Sequence, residues 1–308
     1  MILLGILAAS GAGITGGVAG YVAGGFNGSY LSLVDKFTFP DDSRTTLATG
    51  LSATKYGSAG MSNSGVAGYV AGGYNGSSVL NAVDKFALAS DSRSTLGTGL
   101  VTATFVAGGF SNSGVAGYVT GGNNLSNVIA TVGKLTFSTD ATSNLATGLS
   151  NAIAFTAGMS NSGVAGYNLG GINGYTGTAI ATVDKFAFPS DSRTTLATGL
   201  SSARGRVAGF SNNGSAGYSA GGRANTATVD KFAFPSDSRT TLGTGLSSAR
   251  NGAGGFSSGI VAGYVGGGFA GSTVTTVDKF AFPDDSRTTL ATGLSVARYY
   301  VSTFENGG

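Results

Sequence analysis

The chain has no histidine, no cysteine and no tryptophan, and Glu305 is its only glutamate. Those absences exclude imidazole and thiolate metal sites, Ser-His-Asp and Cys-His catalysis, Fe–S clusters, disulfides and redox thiols. Charge is scarce as well: 10% of residues are charged, against about 25% in an ordinary soluble domain. The net charge of +3 is too weak to argue for a nucleic-acid partner, despite a pI near 9.1. No long apolar run is present. Met1–Ser10 is apolar but lacks a basic flank and falls short of the roughly 18 residues a membrane span needs, so neither a secretory signal nor a span is expected.

What is abundant is glycine, at 55 of 308 residues, more than twice the usual share of about 7%. Disorder does not follow. Hydrophobic residues make up 41% of the chain and aromatics 10%, whereas disorder requires low hydrophobicity with high net charge.

The glycine belongs to a repeat. Ala-Gly-Tyr recurs with its tyrosine at Tyr21, Tyr69, Tyr118, Tyr167, Tyr218 and Tyr264, at intervals of 48, 49, 49, 51 and 46 residues. Val-Asp-Lys-Phe keeps step at Asp35, Asp84, Asp184, Asp230 and Asp278, with Gly133 in the third unit. Segments 185–204 and 231–250 differ only at Ala197/Gly243, the mark of duplication within the chain. Periods of this length indicate solenoids, propellers or arrays.

Each unit holds four short runs rich in Val, Thr, Phe and Tyr. In unit five these are Gly217–Ala220, Ala227–Phe234, Thr240–Thr244 and Gly252–Phe256, separated by Gly-Gly, Pro-Ser-Asp and Gly. Such runs read as strands, and no stretch shows helical periodicity with caps. Six units of four strands predict an all-β, six-bladed β-propeller with four antiparallel strands per blade, in which radial repetition protects strand edges. Ala-Gly-Tyr, Gly-Gly and Ala-Gly-Phe are expected where strands crowd the axis. Phe37, Phe86, Phe186, Phe232 and Phe280 are expected to fill the space between blades. Tyr299–Phe304 repeats the strand that follows each earlier Arg and is expected to pair beside the Tyr21 strand, closing the ring. The propeller then spans 17–308 and leaves 1–16 as an apolar docking or oligomer contact.

The order Tyr-x-x-Gly-Gly, variable loop, Val-Asp-Lys-Phe, Pro-x-Asp turn, Leu-x-x-Gly-Leu and closing Ala-Arg resembles the kelch repeat over all six units. That resemblance implies Gly-Gly at the end of the second strand and an Arg before each new blade. It departs in having Thr where kelch repeats usually carry Trp. Copper chemistry of the galactose-oxidase kind is excluded by the missing His and Cys, and sialidase boxes do not match Ser-Asp-Ser-Arg-Thr-Thr.

Gly11-Ala-Gly-Ile-Thr-Gly16 is formally GxGxxG, but it opens onto a repeat strand and not a helix, so no dinucleotide site is expected. The Asp-Ser-Arg tripeptides read as third-to-fourth-strand turns, with Asp bonding its own backbone and Arg pairing across. Lys55, Arg204, Arg250 and Arg298 end their units and, on the kelch pattern, lie near a channel mouth. There they would either bind an anionic glycan or carboxylate or pair with a neighbouring blade's Asp. Thr104 and Ile153 interrupt that ring. Only Arg206, Arg223 and Glu305 lie off the repeat register. The loops after Gly-Gly vary in length, and loops on a rigid scaffold carry recognition; Tyr175 and Arg223 are candidate contacts there. Four Asn-x-Ser sequons (Asn27, Asn75, Asn124, Asn213) read as accidents of composition.

With its acids recurring symmetrically, the chain offers no tuned base or nucleophile, so no catalytic, cofactor or metal residue is expected. The expectation is a non-catalytic structural or adhesive propeller of a larger assembly, resembling repeat proteins of environmental phage virions (fibre, tail or capsid decoration). Its partners would be copies of itself or other structural proteins, with a cell-surface glycan as a further one, on a virion or extracellular surface. A free carbohydrate-binding or scaffold propeller on a bacterial surface is the alternative.

Overall fold

A computed structural model describes residues 18–174 and 177–306. Among these, twenty-four short strands form six four-stranded antiparallel sheets and no helix. The protein is a six-bladed β-propeller. In the fifth blade the strands run outward from the axis as Ala208–Asn212, Ala216–Ala220, Val229–Ala233 and Ser238–Thr241.

Ala-Gly-Tyr thus forms the second strand from the axis, and the innermost strand is the Ala-Gly-Phe/Met segment after each closing cation. The last run of each unit belongs to the next blade, as expected from Gly-Gly ending the second strand and from Tyr299–Phe304 pairing beside the Tyr21 strand. The glycine of Ala-Gly-Tyr has a different purpose from axial crowding. A Cβ on Gly20 would lie 2.1 Å from Phe256 Cδ2, and one on Gly166 would lie 2.0 Å from Phe110 Cδ2. The glycine clears space for the innermost aromatic of the preceding blade, which completes a close-packed interblade core.

Ring closure follows the same register. Ser302–Asn306 is the innermost strand of the first blade and pairs antiparallel with Ala19–Ala23, with Tyr21 opposite Phe304. Their rings stack at 4.6 Å. Two sequence-distant ends of the chain therefore share one sheet.

A second seam runs between blades through the turns. Each turn Asp has a left-handed backbone, φ 57° at Asp42 for example. Its carboxylate reaches the neighbouring blade instead of its own backbone: Asp91 accepts from Tyr21 Oη and Lys36 Nζ, both at 2.7 Å. The arrangement recurs at Asp140, Asp191, Asp237 and Asp285. Asp42 closes the circle by accepting from Tyr264 at 2.7 Å and Lys279 at 2.6 Å. Burial first, and then the Asp bond, pushes the Tyr21 and Tyr264 phenols well above the usual range.

Candidate functional site

The inner strands begin at one face of the disc and end at the other, so the axis has two chemically distinct ends. The starting face is organised by the second residue after each closing position: Gly57, Val106, Phe155, Arg206, Gly252 and Tyr300. All six have left-handed φ, between 50° and 65°. Each backbone N–H donates to the equivalent carbonyl one blade back: Val106 to Gly57 at 2.6 Å, Phe155 to Val106 at 2.7 Å and Arg206 to Phe155 at 2.6 Å. Gly252 to Arg206 at 2.8 Å, Tyr300 to Gly252 at 2.7 Å and Gly57 to Tyr300 at 2.9 Å complete a closed six-membered circle. The circle explains the shared conformation, because only left-handed backbone aims every N–H along the ring.

Glycine adopts that conformation freely, but Val, Phe, Arg and Tyr do so at a cost of about 1–2 kcal/mol each. Strain of this kind concentrates at functional sites. The side chains it holds are unlike one another on an otherwise repeated scaffold. Phe155, Arg206 and Tyr300 rise from the circle into a cup of about 330 Å³, walled by Phe26, Tyr30, Tyr56, Asn251, Phe269 and Tyr299. The Arg206 guanidinium lies 4.8 Å from the Phe155 ring centre and 5.5 Å from that of Tyr300, within cation–π range.

The opposite end is a polar channel of about 160 Å³. Gly60, Gly109, Gly158, Gly209 and Gly255 let the inner strands touch there; a Cβ on Gly158 would lie 2.1 Å from the Gly109 carbonyl oxygen. Thr303 takes the sixth position and donates to the Gly255 carbonyl at 2.6 Å. Two residues further on, serines line the channel, and the backbone N–H groups of Ser62, Ser111 and Ser160 donate to Ser111 Oγ, Ser160 Oγ and Ser211 Oγ at 2.8, 3.1 and 2.9 Å. Glu305 holds that position in the first blade: its N–H donates to Ser62 Oγ at 2.9 Å, and its Oε2 accepts from the Ser257 N–H. Glu305 is partly exposed along the channel wall, yet the enclosing blades desolvate its carboxyl and push it up to about 7 against the pull of Ser257.

The sequence-chosen cations lie elsewhere. Lys55, Arg204, Arg250 and Arg298 are buried within the blades, at 0–1% exposure. They pair at 3.2, 2.8, 3.0 and 3.0 Å with Asp84, Asp230, Asp278 and Asp35. The partner is the Asp of the blade each cation enters and not of its neighbour. The same carboxylate accepts from the crossover loop, Ser295 N–H to Asp35 at 2.8 Å for instance, so the pair fastens each blade to its incoming chain. Burial raises the Asp35 carboxyl, but Arg298 and the Thr46 and Ser295 bonds outweigh it and hold the group below its usual range. The turn Arg residues also point inward, Arg44 lying 3.6 Å from Asp35.

Arg223 is exposed on the same face as the cup and donates to the Gly177 carbonyl at 2.7 Å. Tyr175 lies outside the described residues, as does the 1–16 segment with its GxGxxG string. The cup itself escaped the sequence reading. Its signal was present at the second repeat position after the cation, where Gly57, Val106, Phe155, Arg206, Gly252 and Tyr300 have no common residue type, and in Arg206 as an off-register charge. Among the described residues, no group of three or more acidic side chains could hold a metal, and no helix is long and apolar enough to cross a membrane.

No known family matches the chain, and no curated protein does. Among solved structures, one titled "Structure of YjhT" is similar with a TM-score of 0.68 and 15% identity, covering 90% of this chain and 98% of that one. At that identity the likeness extends to the propeller fold alone.

Proposed function

We propose that this protein is a non-catalytic recognition propeller, the adhesive module of a larger assembly such as a virion, with its two faces assigned different tasks. The observation that carries this reading is the aromatic cup, where, among the described residues, a symmetric scaffold holds unlike, strained side chains around an open cavity. Rigid Tyr and Phe rings give large contact area at small entropic cost, which suits glycan or protein recognition. The loops after Gly-Gly add Phe26, Tyr30 and Phe269 to its wall, so their variation tunes the same site.

The opposite face supports attachment. Val18, Val66, Val115, Val164 and Val261 occupy one repeated hairpin position and are 48–59% exposed. Recurrence of one exposed apolar residue at the same position in five blades supports a contact at this face. Another copy or a structural protein would be the partner at this face. The alternative, a free carbohydrate-binding propeller on a bacterial surface, shares the cup and drops the attachment.

The catalytic alternative rests on Glu305 alone. Its one described carboxylate bond goes to a backbone N–H, no second acid or base accompanies it in the channel lining among the described residues, and it lies at the far end of the axis from the cup. A glycan array probed with the native chain and with Tyr300→Gly tests recognition. Binding by the first and its loss in the second is expected, and equal profiles would refute the cup as the site. Light scattering separates the two settings, since an assembly module forms particles or defined oligomers and the free propeller is a monomer.

A further inference from the structure

Arg206 stands apart from the other cations of the described residues. The chain has 17 Lys and Arg residues, and fifteen of them are in ion pairs. Arg206 and Arg223 are the other two. Arg223 is occupied by the Gly177 carbonyl. Among the described residues the Arg206 guanidinium has neither an acid nor a hydrogen-bond acceptor, and its Nε is shielded from solvent. It is nevertheless fixed, since its backbone is locked into the six-membered circle and its guanidinium stacks on Phe155 and Tyr300.

Asn251, on the same wall, presents the complementary atom. Its Nδ2 donates to Asn225 Oδ1 at 2.5 Å and reaches the Phe269 carbonyl at 3.5 Å. Those two acceptors fix the amide orientation, and Oδ1 is buried without a donor among the described residues. The cup therefore offers flat aromatic faces, one stacked guanidinium lacking a counter-anion and one acceptor lacking a donor. A guanidinium matches the planar geometry of a carboxylate. An unfilled acceptor calls for a hydroxyl, and a ring carrying both groups fits between aromatic walls.

We infer that the cup binds an acidic saccharide, a uronic-acid unit whose carboxylate takes Arg206 while a ring hydroxyl donates to Asn251. This rests on the cup being the recognition site and names its ligand class. The test is titration calorimetry of the full chain with a galacturonic acid trimer, the neutral galactose trimer and a sulfated galactose trimer. The acidic trimer is expected to bind at least tenfold more tightly than either of the others at low salt, with the preference shrinking as salt rises. Arg206→Gly suits the left-handed backbone, so it should keep its melting temperature while acidic and neutral trimers become equal. Equal binding of acidic and neutral trimers by the native chain, a preference for the sulfated one, or a preference that survives Arg206→Gly would overturn the inference. Binding of the neutral trimer that Tyr300→Gly abolishes would leave the recognition reading standing. A Tyr300→Gly variant with an unchanged glycan-array profile would remove both.

Discussion

Thr104 and Gly133 line one small void in the third blade, at the two positions where the second blade holds Lys55 and Asp84 at 3.2 Å. The blade that lost the acid also lost the cation. That coincidence follows from the cost of burying one charge without its partner, about 3–5 kcal/mol. The fourth blade, with Ile153 at the cation position, keeps a buried Asp184 that the turn Arg193 reaches at 3.5 Å, whereas the third blade has Thr142 in place of that Arg. Thr104→Lys alone and Gly133→Asp alone should each destabilise by that order, while the double variant should recover most of the loss. Chemical denaturation of all four proteins measures the coupling; additive losses would show that the two positions do not communicate.

The seam at Asp42 joins the last blade to the first. Asp42→Asn tolerates the left-handed backbone but removes the anion facing Lys279 and Tyr264. A loss of about 1–3 kcal/mol is expected, Tyr264→Phe should cost less, and the double variant should fall short of the sum. Thermal unfolding checks this, and an unaltered Asp42→Asn melt would show the seam to be inert.

Closure by Ser302–Asn306 makes Phe304 a core residue although it lies four positions from the end of the sequence. Its ring stacks on Tyr21 and lies 5.4 Å from Phe86. Phe304→Ala should cost about 3–5 kcal/mol, and removal of residues 299 to 308 should open the ring and broaden the unfolding transition. A sharp, unshifted melt after truncation would contradict closure.

Glu305 gives a pH signature of opposite sign to that of the buried aspartates. Its folded carboxyl ionises near 7, against 4.5 for the free group. Between those values the native state holds the extra proton, so stability falls as pH rises from about 4.5 to 7. Asp35, Asp84, Asp230 and Asp278 are held below 3.8, so their contribution is lost only as pH drops below that value. Melting temperature should therefore peak in mild acid, and Glu305→Gln should flatten the decline towards neutrality. A decline that persists in Glu305→Gln would assign it to another group.

The blades were legible because their markers repeat: six tyrosines, the Asp-Lys-Phe strands and the Asp turns specify count, strand order and spacing. The roles of the charges were not, because neighbours in a strand face opposite ways. Asp35 points into its own blade towards Arg298, whereas Lys36 points across to Asp91, and linear sequence shows only an adjacent pair. For the closing Arg residues the sequence left two readings open, a channel ring or pairing with an Asp, and their burial inside the blade they enter decides for the pair. The cup was hidden for a related reason. Its members, Phe155, Arg206 and Tyr300, share no residue type, only a backbone conformation imposed by the six hydrogen bonds around the axis.

The most direct test of the account is a crystal structure of the full chain with a glycan identified on the array. The account predicts the sugar ring in the cup over Phe155 and Tyr300, with the six-membered backbone circle intact beneath it. A sugar bound at the outer edge of a blade, or in the serine-lined channel beside Glu305, would contradict it.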